Sequence, residues 1–470
     1  MKVMTNNYRN ILYWVILFVL SVFSFPFSLS AETLTLDSCL AMAKRNNPEL
    51  RKAELSVRRA EEVKSQALTK YFPQVKGMAF GYYALNPLID VGIDDIGNAT
   101  VRDLLTTLYG NYGAALGLDN TINLFQHGYG AGVIAIQPVF VGGKIVTGNQ
   151  LAKVGVEAAK LQAEVSTRDR LQEVEETYWL VYGLLQKQLI IDDANALLDS
   201  LYQTVYAAVE SGLALPYDLA QVEIQRDEVA RRQLQLSSGT RLAKRALALA
   251  IGLPSSDSLS LAEDSQLLSP SLAERGRLEL SSSPYEEVTP TPESRLLSLQ
   301  VRAAELEKRM ALADALPQIA IGANYGYTHL QTNILRNGLN SKNGNGALFV
   351  TMTVPLTGWW ETAHKIREKQ YAIEQAKIDQ EHLGSQLQLR TQQAYDQLMD
   401  ADAMLQLRRR TCQHAREAYE HMQANYEAGR VTVSEWLQAQ MALTQAESDL
   451  TDAVISYRVH LRRYKDLSDK

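Results

Sequence analysis

The sequence predicts an α+β protein built from two internal repeats, each holding helices, two short strands and a long helical hairpin. Three observations lead there. Two glycine turns share their surroundings: "YAAVESGLALPYDLAQVE" (Tyr206–Glu223) and "QANYEAGRVTVSEWLQAQ" (Gln423–Gln440). Glu210, Gly212, Asp218 and Gln221 in the first correspond in spacing to Glu427, Gly429, Glu435 and Gln438 in the second. Strand-like segments recur in the same order: "YFPQVKGMAFGYY" (Tyr71–Tyr83) is answered by "ALPQIAIGANYGY" (Ala315–Tyr327), and "GAGVIAIQPVFVGGK" (Gly130–Lys144) by "GALFVTMTVPLTGWWE" (Gly346–Glu361). Finally, the stretches from Gly143 to Gly212 and from Gly358 to Gly429 keep a helical pattern, interrupted only by single glycines such as Gly183 and Gly384. At about 1.5 Å per residue each stretch reaches about 100 Å, longer than a single globular domain needs.

Taken in order, the chain opens with Lys2 and Arg9 before an apolar run from Ile11 to Phe25, broken by Pro26 and followed by the small residues of "SLSA". That is the pattern of a secretory signal peptide over residues 1–30, with cleavage after Ser30. Its loss moves the formal charge from −6 to about −8, which argues against a nucleic-acid partner. Cys39 and Cys412 lie far apart and form no metal-ligand cluster, so neither a disulfide framework nor a metal site is inferred; Cys39 reads as a small buried apolar residue.

The first repeat (residues 31–252) carries strands at Val75–Tyr83 and Gly130–Gln137, and the second (residues 293–470) at Ile319–Tyr327 and Ala347–Val354. They are rich in Gly, Ala, Val, Ile, Thr and Tyr and have the length of a membrane-crossing strand, about 9–11 residues, with Tyr82, Tyr83, Tyr325, Tyr327, Trp359 and Trp360 as interface aromatics. On these segments alone, strands of a soluble sheet are an equal reading. If they cross a bilayer, four strands with open edges leave backbone groups unpaired in hydrocarbon, so several chains must share one closed barrel.

The long helices carry narrow seams at three-and-four spacing: Leu171, Val174, Tyr178, Val181 and Leu185 in the first, and Leu398, Ala401, Leu405, Cys412, Ala415, Tyr419, Met422 and Tyr426 in the second, with Arg408 out of place. Such helices must bury their seams against other long helices. The Ser- and Pro-rich join, residues 253–292, reads as a linker.

These residues resemble the TolC-type outer-membrane efflux family over the whole mature chain. "NNPEL" before a long helix, "FPQ" leading into the first strand, "QPVFVGG" and "VPLTGWW" at the strand-to-helix junctions, and the two glycine turns all stand in the family's order, twice. The resemblance implies a homotrimer in the outer membrane of a Gram-negative bacterium, each chain giving four strands to a twelve-stranded β-barrel in lipid, continued by a long antiparallel coiled-coil tunnel in the periplasm. It implies a periplasmic adaptor protein and an inner-membrane transporter as partners. Residues 86–127 and 329–345 become extracellular loops, and residues 253–292 an equatorial region. Gly212, Asp218, Gly429 and Thr432 become the periplasmic tip where the adaptor docks, and Glu435 and Gln438 the pore constriction. Gln438 stands where the family has a second acid, so one ring of the constriction is uncharged.

Glu435 also has a purely local reading. Thr432-x-x-Glu435 is a capping box, and Pro216 with Asp218 likewise opens a helix in the first repeat. His414, Glu417 and His421 share a helical face, but the two histidines are about 10 Å apart along the axis, too far for one ion. No phosphate-binding loop, HExxH or GxSxG motif is present, so no catalytic residue and no cofactor is assigned. The expected function is an exit duct of a tripartite efflux or type I secretion system. The alternative from another class is a soluble periplasmic coiled-coil adaptor or scaffold.

Overall fold

The computed structural model describes residues 34–86, 89–116, 121–254, 259–261, 291–333 and 339–468. The expected signal peptide, residues 1–30, and most of the expected linker lie outside the described residues. The elements run α1 (Leu36–Asn46), α2 (Pro48–Leu68), β1 (Gln74–Tyr83), β2 (Ile89–Gly92), α3 (Ala99–Leu116), β3 (Thr121–Val141), α4 (Lys144–Glu210), α5 (Pro216–Ala250), α6 (Pro292–Ala313), β4 (Gln318–Asn333), β5 (Leu339–Thr353), α7 (Trp359–Glu427) and α8 (Val433–Ser468). Two compact units result: one from residues 53–165 and 290–388, the other from residues up to 52, 166–289 and 389–470.

The first unit holds an antiparallel sheet in the order β1-β3-β4-β5, with β2 pairing β3 beyond the end of β1. Its register places Val75, Ala135, Ala323 and Leu348 in one row across the strands, and Gly77, Val133, Tyr325 and Gly346 in the next. Because side chains alternate between faces, one face is apolar: Val75, Tyr83, Tyr129, Val133, Ile321, Tyr325, Leu348, Val350 and Met352, all exposed. The other mixes Lys76, Asn324 and Thr351 with glycines and with the exposed Met78 and Ile136, and there Phe80 lies over Gly130 and Phe349 over Gly322, where a Cβ would collide with the rings. No described strand pairs with the outer edge of β1 or of β5.

The strand-to-helix junctions are fixed by a turn and a charge. Gly142 and Gly143 take positive φ (64° and 82°), and a Cβ on Gly142 would sit 2.7 Å from the Ala313 carbonyl oxygen, so only glycine fits. Asp314, just past α6, accepts from Lys144 at the start of α4 and from Lys365 in the first turns of α7 (2.8 Å). Those two hydrogen bonds hold its carboxyl below the usual range. Asn149 donates to the Ala67 carbonyl (3.0 Å) and ties α4 to the end of α2.

Between β1 and β3 the structure departs from a plain loop. β2, a short 3-10 turn and the 18-residue helix α3 fill it. Asn98 Oδ1 caps α3 by accepting from Thr100 N–H (3.1 Å) and Val101 N–H (3.3 Å). Likewise β4 and β5 continue well past the expected strand ends, to Asn333 and back to Leu339.

The second unit is helical. Cys39 and Ala43 of α1 pack with Val174, Tyr178 and Val181 of α4, Leu247 of α5 and Ile251 just past its end; Leu398, Ala401 and Leu405 of α7 pack with Ala453, Tyr457 and Tyr464 of α8. The two seams read from spacing are thus buried along their centres. Arg408, out of place in that pattern, forms an ion pair with Asp449 of α8 at 2.7 Å. Asn47 of "NNPEL" opens α2 by accepting from the Glu49 N–H (2.8 Å) and donates to the Ala250 carbonyl (2.8 Å), tying the start of the chain to the end of α5. Gly183 leaves room for a side chain of α8: a Cβ there would lie 2.1 Å from Ile455 Cδ1. Both cysteines are buried free thiols, and burial pushes Cys39 up to about 11.

Candidate functional site: the paired hairpin turns

Both glycine turns lie in the helical unit and have the same backbone. At the end of α4 the Gly212 N–H donates to Val209 O (3.0 Å) and the Leu213 N–H to Ala208 O (2.8 Å); at the end of α7 the Gly429 N–H donates to Tyr426 O (2.9 Å) and the Arg430 N–H to Asn425 O (2.9 Å). These paired bonds, spanning three and five residues, form the Schellman termination, which needs a left-handed residue. Gly212 (φ 70°) and Gly429 (φ 67°) supply it, and nothing lies within 4 Å of a Cβ at either, so the requirement is conformational rather than steric.

The next helix then starts within a few residues in each hairpin. In the second, Glu435 Oε2 accepts from the Thr432 N–H (2.8 Å) and hydroxyl (2.9 Å), while the Glu435 N–H donates to Thr432 Oγ1 (3.3 Å). The capping box read from the sequence is therefore formed. Its bonds from the Thr432 backbone and hydroxyl hold the Glu435 carboxyl below the usual range, so the exposed side chain carries a full negative charge at neutral pH. In the first hairpin, Asp218 Oδ2 accepts from the Leu215 N–H (3.1 Å), and Pro216 opens the helix at a position that needs no donor. Leucine has no acceptor, so this cap is half of the other.

The two hairpins are packed together. Leu198, Leu201 and Val205 of α4, Val222 of α5 and Val433, Trp436 and Leu437 of α8 form one buried cluster, with Tyr419, Met422 and Tyr426 of α7 at its side. The Trp436 ring stacks on Tyr426 at 5.0 Å between centroids, 8° from parallel. Burial first, then the Asp218 charge, raises the Tyr426 hydroxyl pKa, which places Asp218 of the first turn next to the second hairpin. Gly212, Asp218, Gly429, Thr432, Glu435 and Gln438 thus come together at one end of the helical unit, with Glu435 and Gln438 exposed.

The turns differ in what they display. Leu213, Leu215 and Tyr217 of the first are exposed, an apolar group that repeat spacing did not single out; the second shows Arg430 and Thr432. The signal was present as three large apolar residues in a glycine-proline turn, where a core has no use for them. His414 approaches Glu417 at 3.7 Å as an exposed pair, and among the described residues no three His, Cys, Asp or Glu side chains gather as for a metal ion.

The family model described as "Outer membrane efflux protein" matches residues 39–253 and 295–462. Comparison with curated proteins found no match. Among solved structures, the chain is similar to a membrane protein from Pseudomonas aeruginosa (16% identity, TM-score 0.70, covering 92% of this chain and 93% of that one). It is similar to the outer membrane channel CmeC of Campylobacter jejuni (14%, TM-score 0.70, covering 92% and 85%). It is also similar to the outer membrane protein VceC of Vibrio cholerae (15%, TM-score 0.69, covering 92% and 96%). At these identities the likeness is one of fold.

Proposed function

We propose that this chain, which belongs to the outer membrane efflux protein family and is an exit duct for efflux in that membrane, works as one of three identical subunits. Each gives β1, β3, β4 and β5 to a twelve-stranded barrel, and the long helices continue it as a coiled-coil tunnel in the periplasm. The observation that carries this reading is the sheet. It has one broad exposed apolar face with tyrosines, a second face with Lys76, Asn324 and Thr351, and edges at β1 and β5 that no described strand fills. An apolar face of that extent fits lipid, and unpaired edges in hydrocarbon demand closure by further copies. A soluble coiled-coil adaptor has no use for such a sheet, and nothing favours that alternative.

Transport through the duct is passive in this reading, driven by an inner-membrane transporter joined through a periplasmic adaptor. The adaptor docks at the paired turns, on Gly212, Asp218, Gly429 and Thr432 and their neighbours. Glu435 and Gln438 of each copy line the constriction there. A ring of three Glu435 carboxylates around the axis favours cations and resists anions. The cap that keeps Glu435 ionised also fixes where the charge sits, so one residue serves helix start and pore. Opening moves the hairpins apart, which Gly429 and Gly212 permit by ending the helices sharply.

The test is conductance. The mature protein, purified in detergent and placed in planar bilayers, is expected to form channels, and Glu435→Ala is expected to raise single-channel conductance and lower cation preference. A channel unchanged by that substitution would leave Glu435 with its cap alone.

A further inference from the structure

The duct reading leaves α3 without a task. Its apolar residues Val101, Leu104, Leu105, Leu108, Tyr109 and Tyr112 fall in one sector of the helix, while Arg102, Asp103, Thr106, Thr107 and Asn111 take the rest. That apolar face is open: Leu104 is 60% exposed, Tyr112 57%, Leu108 44% and Val101 43%. An isolated helix of this length is marginal in water, so a face of this kind exists to be covered.

The chain leads α3 away from lipid. α3 stands at the end of the sheet away from the helices, where β1 returns to β3. Tyr325, Tyr327, Tyr129 and Tyr83 climb the outer part of the apolar face in register, and beside the last two β5 reads "LNSKNGN", a polar run. From Tyr129 back to Thr121, β3 climbs eight more residues, about 27 Å at ~3.4 Å each; with a strand tilt of about 45° that is about 19 Å above the tyrosines. The helix is thus attached above the tyrosines.

The neighbouring copy is within reach. β2 pairs with β3 on the same side as β1 and so prolongs the β1 edge, one of the two edges at which copies must join. α3 hangs from that seam. With 18 residues it is about 27 Å long, enough to extend over a barrel mouth.

We propose that the apolar faces of α3 from neighbouring copies of this chain pack against one another above the barrel mouth and form an external cap on the duct. This rests on the shared-barrel reading. Leu104 and Leu108 form the centre of the contact, and Thr106, on the opposite face, points away from it.

The test uses the full mature chain, whose own cysteines are buried. Leu108→Cys and Thr106→Cys variants are oxidised in the purified, detergent-solubilised state, and oligomer mass is measured in parallel. The expected result is a trimer in both, with disulfide-linked dimers from Leu108→Cys in several-fold excess over Thr106→Cys. Equal yields, or no link from Leu108→Cys in an intact trimer, overturn the cap and leave the shared barrel standing. Quenching of a fluorophore on the Leu108→Cys thiol by nitroxide-labelled lipid would place the face on the bilayer and also overturn it. A monomer would remove both readings together.

Discussion

Gly252 and Gly429 both hold positive φ, at 77° and 67°, yet they answer to different forces. A Cβ on Gly252 would lie 2.5 Å from the Asn46 backbone oxygen, whereas one on Gly429 meets nothing within 4 Å. A left-handed L-residue costs about 1–2 kcal/mol, and that alone is the expected cost of Gly429→Ala. Gly252→Ala adds a backbone overlap that no side-chain rotation relieves, so it should cost more than about 2 kcal/mol by moving α1 from α5. Thermal unfolding of the two variants in one detergent checks the order; equal losses would mean that the close approach at Gly252 relaxes freely. The sequence marked Gly429 through its repeat and gave Gly252, the last residue of the first repeat, no role, because its constraint comes from Asn46, a residue two hundred positions away in the chain that no local pattern brings near. Gly183 was hidden for the same reason: its neighbour is Ile455 on another helix.

At the scale of an element, α8 carries carboxylates of opposite tendency at its two ends. Glu435, at its start, is held low by the Thr432 cap, so its contribution is present above the unfolded pKa and lost as pH falls through the folded one. Near its end Asp466 is raised, chiefly by burial and further by the repulsion of Asp169, against the opposing pull of Arg462 and Arg168. Glu175 on α4 is likewise raised by burial, although Arg462 (3.5 Å), Trp179 and Arg458 favour its charge and Asp466 opposes it. A carboxyl whose folded pKa lies above the unfolded value takes its proton first in the folded state. The stability it adds is therefore full at acid pH and lost as pH rises through that raised value. Glu175→Gln should remove its share of this fall, giving a melting temperature that declines less than the parent's between mildly acid and neutral pH. Identical slopes would show that Arg462 fully compensates the burial. The seams of α4 and α7 were legible because side chains at three-and-four spacing must share a face. This cluster was not, since Glu175 and Asp466 look like any solvated acid until α4 and α8 are laid side by side.

For the whole molecule, the repeat and the family resemblance located the four strands and the two turns, and the structure lengthened β3, β4 and β5 and placed α3 inside what reads as a loop. Composition was the obstacle there: six apolar residues at helical spacing after Asn98 were legible, but they sit between strands, where a loop was expected. What no single-chain pattern supplies is the partner of the outer edges of β1 and β5. On β1 successive N–H groups point alternately to β3 and away from it. Proline at Met78 and proline at Ala79 therefore make a matched pair, since each removes one N–H and only one of the two belongs to the β1–β3 ladder. If the free edge joins the next copy, neither position is neutral: one proline weakens the sheet within the chain, and the other weakens only the junction. The second should retain the helical content and the melting of a folded chain while running as a monomer in detergent and losing conductance. Should one of the two variants instead keep both oligomer and channel, the outer edge of β1 would be shown to face no partner, and the barrel would have to close in some other way.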